Sequence, residues 1–480
     1  MKKRIGKLIL AGLLLLILPV SVLLAGLSLP SLYGDTYYGV LPKMYERLQR
    51  VSGPKILVIG GSNVAFGLDS QLLEDLLGEK GYDYTVCPFG LYAAVGTSAM
   101  LDLSRDTLGN GDIVVLAMEP TSETMSDYFG AETFWKCAED APQLIGKLSR
   151  DKQGTLAGSY LSYLHQRRDI VSSGNFPAAE GVYAASSFDE RCDLIYDRPG
   201  NRMAAGFDTS LTVDLEMVRV SDAFAAQLRE YCDAAAKRGA SVLLSFSPVN
   251  RPSVADLSEE AVEAFFHTCL EAFACPVISD PNRYILDSGW FYDSNFHLNS
   301  AGAQLRTGLL AEDLLTWLGC YEELRYELPA MPPSDAVIGE TAGDTDCFRY
   351  EPDESGAGYR IAGLTGQGLS RKELQIPSVY EGRPVLSIAP DALEDAAALE
   401  QLRIPASITY LPGGLFEHTR NLTRLILEHT DYPCDVEADT FRGADQLRVL
   451  VPRAVYSYYR DGYGCETNPW SPFLDRIHTY

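Results

Sequence analysis

The chain has 480 residues, 46% of them hydrophobic, so it can fill real cores, and its length points to about three units of roughly 150 residues. With 22% charged residues and a formal net charge of −25, its surface repels a nucleic-acid backbone and disfavours polyanionic substrates.

The N-terminal tip Met1-Lys2-Lys3-Arg4 is basic, and after Lys7 no charged residue occurs from Leu8 to Gly34. A bilayer-spanning helix needs about 20 such residues. Residues 1–34 are therefore expected to form one N-terminal transmembrane helix, the alternative being a cleaved signal peptide. The sequence favours retention, because a cleavage site wants small side chains where Leu23 and Ala25 stand, and only Ala25 is small. In both cases the bulk of the chain, from residue 35 on, is expected outside the cytoplasm.

Tyr37-Tyr38-Gly39 and a helical pattern over Leu41 to Leu48 lead into Lys55-Ile56-Leu57-Val58-Ile59, a run that reads as a strand buried on both faces. Gly60-Gly61-Ser62-Asn63 follows, then helical spacing at Leu72, Leu73, Leu76 and Leu77. Ser62 thus sits where a strand hands over to a helix, a place that offers backbone N–H groups to an oxyanion. The next strand is Tyr84 to Pro88, a helix covers Met100 to Leu103, and Ile113 to Ala117 is a third strand. This alternation signals βαβ units. Residues 121–213, polar and aromatic, break the rhythm as an insertion over the C-terminal edge of the sheet. A helix from about Leu215 to Ala235, a strand Ser241 to Phe246, a helix Glu259 to Ala272, a strand Pro276 to Ser279 and a helix Ala301 to Leu318 resume it. The domain spans 35–320.

Residues 321–345 are acidic, carry Pro329, Pro332 and Pro333, and read as a linker. In 346–480 a motif repeats: Leu374-x-Ile376-Pro377, Leu402-x-Ile404-Pro405, Leu425-x-Leu427 and Leu450-Val451-Pro452, at spacings of 28, 23 and 25 residues. Ala392-Leu393, Leu415-Phe416 and Thr440-Phe441 recur in step. One repeat cannot bury its own apolar face, so the units stack into a short solenoid, with the segment around Trp470 as its cap.

A serine hydroxyl needs an imidazole to take its proton, and that imidazole needs a carboxylate to fix its tautomer. Ser62 early, with Asp293 and His297 late in the same domain, supplies those parts. The competing reading makes Asp293 and His297 a local cap. The ten cysteines show no C-x-x-C pair or Cys/His zinc spacing, so no metal and no cofactor is expected. Sequence leaves their pairing open; Cys269 and Cys275 are near neighbours, and buried free thiols are the plainer alternative.

Residues 54–318 resemble the SGNH (GDSL-like) hydrolase family through Gly60-Gly61-Ser62-Asn63, Gly90 in Pro88-Phe89-Gly90-Leu91, and Asp293 to His297. The resemblance implies a flavodoxin-like three-layer α/β fold around a parallel sheet. It also implies Ser62 as nucleophile, His297 as base and Asp293 as its orienting carboxylate, with an oxyanion hole made from the Ser62 and Gly90 N–H groups. Three departures stand out. Gly61 replaces the family's usual Asp, Asp293 lies four rather than three residues before the histidine, and Met118-Glu119-Pro120-Thr121 lacks the Asn that donates to the oxyanion after the third strand. Asn63 or Asn250 is expected to substitute as donor. The repeats resemble bacterial surface leucine-rich repeats of the BspA-like type.

The function expected is an exported serine esterase or O-acyltransferase acting on small acyl esters of cell-envelope or other carbohydrates. Its partners would be that ester substrate, the membrane at its N-terminal helix and a surface ligand or protein at the repeats. The alternative is a catalytically silent adhesion or ligand-binding protein that uses the repeats.

Overall fold

The computed structural model describes residues 26, 29–174, 176–177, 179–209, 211–332, 343–429, 433–444, 446–461 and 468–480. At its centre lie four parallel strands, β1 (Lys55–Gly60), β2 (Thr85–Gly90), β3 (Ile113–Leu116) and β4 (Ser241–Leu244), in the order β2-β1-β3-β4. A parallel bridge from Leu244 to Val277 extends the β4 edge where a full strand was expected over Pro276 to Ser279. Successive side chains on a strand point to opposite faces, and both faces are covered. Leu57, Ile59, Val114 and Leu116 share one core with α1 (Val40–Arg50), while Ile56, Val58, Ile113 and Val115 share another with α3 (Ser70–Gly78), which follows the short α2 (Ser62–Gly67). The first core also takes α4 (Thr97–Ser104), α5 (Ala131–Ala138), α6 (Arg150–Ser173), α7 (Asp222–Lys237) and α8 (Glu259–Ala272), and the second takes α9 (Ser300–Trp317). This is a mixed α/β unit with parallel strands buried on both sides, which explains their unbroken apolar runs.

Side-chain caps set the helix starts. Asp69 accepts from the Leu72 N–H, Ser221 from Phe224 and Asn299 from Gly302, each satisfying a donor that the first helical turn leaves free. The Ser221 cap moves the start of α7 from the expected Leu215 to Asp222, with a separate 3₁₀ turn at Leu215–Met217.

Beyond the linker, strands Glu373–Gln375, Gln401–Ile404, Arg424–Leu427, Arg448–Val451 and Ile477–Thr479 form one parallel five-stranded ladder. Leu374, Leu402 and Leu425 stand in register and are buried, and full burial of each such side chain contributes about 1.5–3 kcal/mol. The fourth repeat corrects the sequence reading: Val449, not Leu450, aligns with Leu425. Val449 and Val451 are buried and Leu450 is only half-buried, so the two-residue period of a strand overrides the match to leucine. Phe416 and Phe441 stack with ring centroids 5.6 Å apart, so the second recurrent pair also lies in the core. Ahead of the ladder, Phe348–Pro352, Tyr359–Leu364, Val379–Tyr380 and Arg383–Ile388 make a separate four-stranded sheet, which a reading of 346–480 as repeats alone did not anticipate.

The N-terminal membrane segment expected over 1–34 and residues 333–342 of the linker lie largely or wholly outside the described residues. Among the described residues, no helix is long and apolar enough to cross a membrane.

Candidate active site

The turn after β1 is built around backbone that leaves no room for side chains. Gly60 of β1 pairs with Gly90 of β2, and a Cβ on Gly90 would come within 2.7 Å of the Gly61 carbonyl oxygen and 2.8 Å of that of Gly60. This close approach brings the end of β2 against the Gly60-Gly61-Ser62 turn. Ser62 opens α2, half-buried, and its Oγ lies 2.7 Å from His297 Nε2.

His297 arrives from the other end of the unit. Strands Phe291–Ser294 and His297–Leu298 pair antiparallel, with Ser294 opposite His297 and an irregular register further along. Across this hairpin His297 Nδ1 meets Asp293 Oδ1 at 2.7 Å. The four-residue separation from Asp293 therefore reaches the imidazole without the three-residue spacing. Asn299 Nδ2 donates to the Gly289 and Phe291 carbonyls and pins the hairpin to the start of α9. Phe66 stacks on the imidazole, centroids 3.9 Å apart and planes 9° apart, which fixes the ring plane. Tyr183, from the insertion, donates its hydroxyl to Asp293 Oδ2 at 2.8 Å, so both carboxylate oxygens are held. With Nδ1–H committed to Asp293, Nε2 is the acceptor that faces the serine hydroxyl.

The two asparagines expected at the oxyanion do not reach it. Asn63 is fully buried; its Oδ1 accepts from the Gly61 N–H at 2.9 Å and its Nδ2 donates to the Ala117 carbonyl at 2.7 Å, so it braces the turn. Asn250 donates to the Gly206 carbonyl and accepts from Ser288 Oγ, which commits its amide elsewhere. The place after β3 is taken by Glu119. Its Oε1 accepts from the Asn63 N–H at 3.1 Å and lies 3.3 Å from Ser62 Oγ. It also explains Gly61, because a Cβ there would sit 2.8 Å from Glu119 Oε1. Burial raises the Glu119 carboxyl above its ordinary range, against the opposing pull of the Asn63 N–H, His297 and Ser62.

Ser62, His297, Asp293 and Glu119 open into a cavity of about 480 Å³. Tyr183, Asp208 and Leu211 of the insertion line it, and Asp435, Tyr458 and Trp470 of the repeat unit close the far side. Its described lining holds five acidic residues, Glu119, Glu123, Asp208, Asp293 and Asp435, and no lysine or arginine. Sequence reasoning missed Glu119, Tyr183 and the repeat-unit wall. The pairing of Gly61 with Glu119, two positions that both depart from the motif the sequence resembles, was the available signal for the first. Among the described residues, no group of three or more His, Cys, Asp or Glu is arranged to hold a metal ion.

No family model matches the chain, and no curated protein matches it. Among solved structures, it is similar in part to a leucine rich cell surface protein from Faecalibacterium prausnitzii, at 15% identity and a TM-score of 0.19, over 25% of this chain and 34% of that one. The match thus spans about a third of that neighbour's length.

Proposed function

We propose that the chain is an exported serine esterase or O-acyltransferase of the SGNH type, acting on small acyl esters of cell-envelope or other carbohydrates. The observation that carries this reading is the continuous chain of contacts from Ser62 Oγ through His297 to Asp293, both links at 2.7 Å, opening on a cavity. Ser62 attacks the ester carbonyl while His297 Nε2 takes its proton, Asp293 stabilises the imidazolium, and His297 returns the proton to the leaving oxygen. Water or a second hydroxyl then resolves the acyl-enzyme, which separates hydrolase from transferase. The strand order β2-β1-β3-β4 with helices on both faces fits a flavodoxin-like sheet, with Ser62 and Gly90 at the carboxyl ends of β1 and β2, where ligands bind in such folds. The charge-free run from Leu8 to Gly34 supports a membrane-anchored or secreted location, and the ladder after residue 373 supports a short leucine-rich-repeat solenoid.

A fluorophosphonate probe and an acetyl-ester assay test the reading. Wild type is expected to be labelled and active, and Ser62→Ala neither. If wild type and Ser62→Ala behave alike, the enzymatic reading fails and the adhesion alternative takes its place.

A further inference from the structure

The place after β3 poses a chemical problem. A serine attack concentrates negative charge on the substrate oxygen within a few ångströms of Ser62, and the side chain standing there is a carboxyl. An ionised Glu119 would oppose that charge, whereas a neutral one could donate to it. The contacts leave room for the neutral state. The Ser62 hydroxyl has one hydrogen, and His297 Nε2 at 2.7 Å is its nearer acceptor, compared with 3.3 Å to Glu119 Oε1. Oε1 already accepts from the Asn63 N–H, as the carbonyl oxygen of a neutral acid does. Oε2 has no hydrogen-bond partner among the described residues, and Glu119 lines the cavity although only 3% exposed.

We propose that Glu119 in its neutral acid form is a catalytic residue whose Oε2–H donates to the oxyanion formed when Ser62 adds to an ester carbonyl. This rests on the serine-hydrolase reading above. Ser62 Oγ forms the bond to the carbonyl carbon, its proton passes to His297 Nε2, and the carbonyl π pair moves onto oxygen, where Glu119 donates without giving up its proton. When the tetrahedral intermediate collapses, the bond to the leaving oxygen breaks and His297 protonates it. Burial favours the neutral carboxyl and outweighs the opposing pull of the Asn63 N–H, His297 and Ser62. Tyr37, Glu123, Asp208, Asp293 and Asp435 line the same cavity, and His297 is its sole basic side chain among the described residues. A neutral carboxylic acid held in an apolar site to donate a hydrogen bond has precedent in enzyme chemistry.

The test is kcat/KM for a small acetyl ester across pH, with fluorophosphonate labelling in parallel, for wild type, Glu119→Gln and Glu119→Ala. Glutamine keeps an acceptor for the Asn63 N–H and supplies an amide donor, so Glu119→Gln should stay within about fivefold of wild type near neutral pH. Wild type should lose activity at alkaline pH as Glu119 ionises, and Glu119→Gln should not. Glu119→Ala should lose about 10²–10³, the cost of one oxyanion donor. Should Glu119→Ala fail to fold in a thermal melt, the pH profile of the isosteric Glu119→Gln decides alone. A Glu119→Gln enzyme that falls by 10² or more while wild type is labelled and active would overturn the role of Glu119 and leave the hydrolase reading intact. An Ala variant at wild-type rate, or the same alkaline fall in wild type and Glu119→Gln, would also overturn it. A wild type neither labelled nor active would remove both.

Discussion

The two units fill their interiors differently. The α/β unit buries charged side chains, among them Lys55, Asp112, Glu119, Asp193, Arg306 and Asp313, whereas the buried polar residues described in the repeat unit are Ser378, Ser407, Thr419, His429 and Thr440, none of them acidic, Lys or Arg. A ladder in which each strand copies the last satisfies its backbone by repetition and needs only apolar stripes to stack. A sheet that must aim several side chains at one point needs polar supports inside it. Asn63 bracing the serine turn, Asn299 pinning the hairpin and Tyr183 holding Asp293 are of that kind. Buried polarity in this molecule marks the unit that carries the site.

The widest separation between the two units should come from the site itself. Ser62→Ala or His297→Ala is expected to lower kcat by about 10⁴-fold or more and Asp293→Asn by about 10⁴, with the melting transition of Ser62→Ala unchanged. Equal rates for these variants and wild type would remove the distinction between a functional and a structural polar core. On the repeat side, Leu425→Ala should cost about 2–5 kcal/mol, read as an earlier urea transition. Because the repeats wall the cavity, it should also raise KM; a purely structural appendage would leave KM alone.

Acidity should drive the units apart in opposite directions. Burial pushes Asp193 up to about 7, so the folded state holds its proton longer than the unfolded chain, and stability falls as pH rises from about 4 through 7. His429 donates its Nε2–H to the Ile408 carbonyl, its Nδ1 has no partner among the described residues, and burial lowers it to about 4. The unfolded chain then binds the proton first, and stability falls as pH drops from about 6.5 through 4. Hydrogen exchange at pH 5 should find the segment around His429 opening sooner than at pH 8, and the region around Asp193 opening later. Asp193→Asn should add about 1–3 kcal/mol at pH 8 and little at pH 4. A uniform response of both units would contradict this partition. The smallest effect expected is that of Tyr183→Phe, a loss in kcat of about fivefold from the hydrogen bond to Asp293, with KM unchanged.

The central strands were legible because a strand buried on both faces leaves an unbroken apolar run, and helix Glu259 to Ala272 because Ser258 caps it ahead of a periodic face. Ser62, Asp293 and His297 were legible as a set because chemistry constrains which residue types must meet, however far apart they lie in the chain. Glu119 was not: its relation to Ser62 spans 57 residues and shows only as a missing asparagine. Tyr183 sits in irregular backbone, where no period marks a buried face. The last repeat strand, Ile477–Thr479, has three residues and no Leu-x-Ile signature, and it becomes a strand because the ladder before it offers an open edge.

The acidic lining of the cavity bears on what happens after chemistry. Cleavage of an acyl ester by water frees a carboxylic acid, which is an anion at neutral pH. No lysine or arginine in the described lining is there to hold it, and the carboxylates of Glu123, Asp208, Asp293 and Asp435 share its sign. Under the proposed esterase reading, the free acid is expected to be a poor inhibitor, and the same field to turn away anionic esters before they reach Ser62.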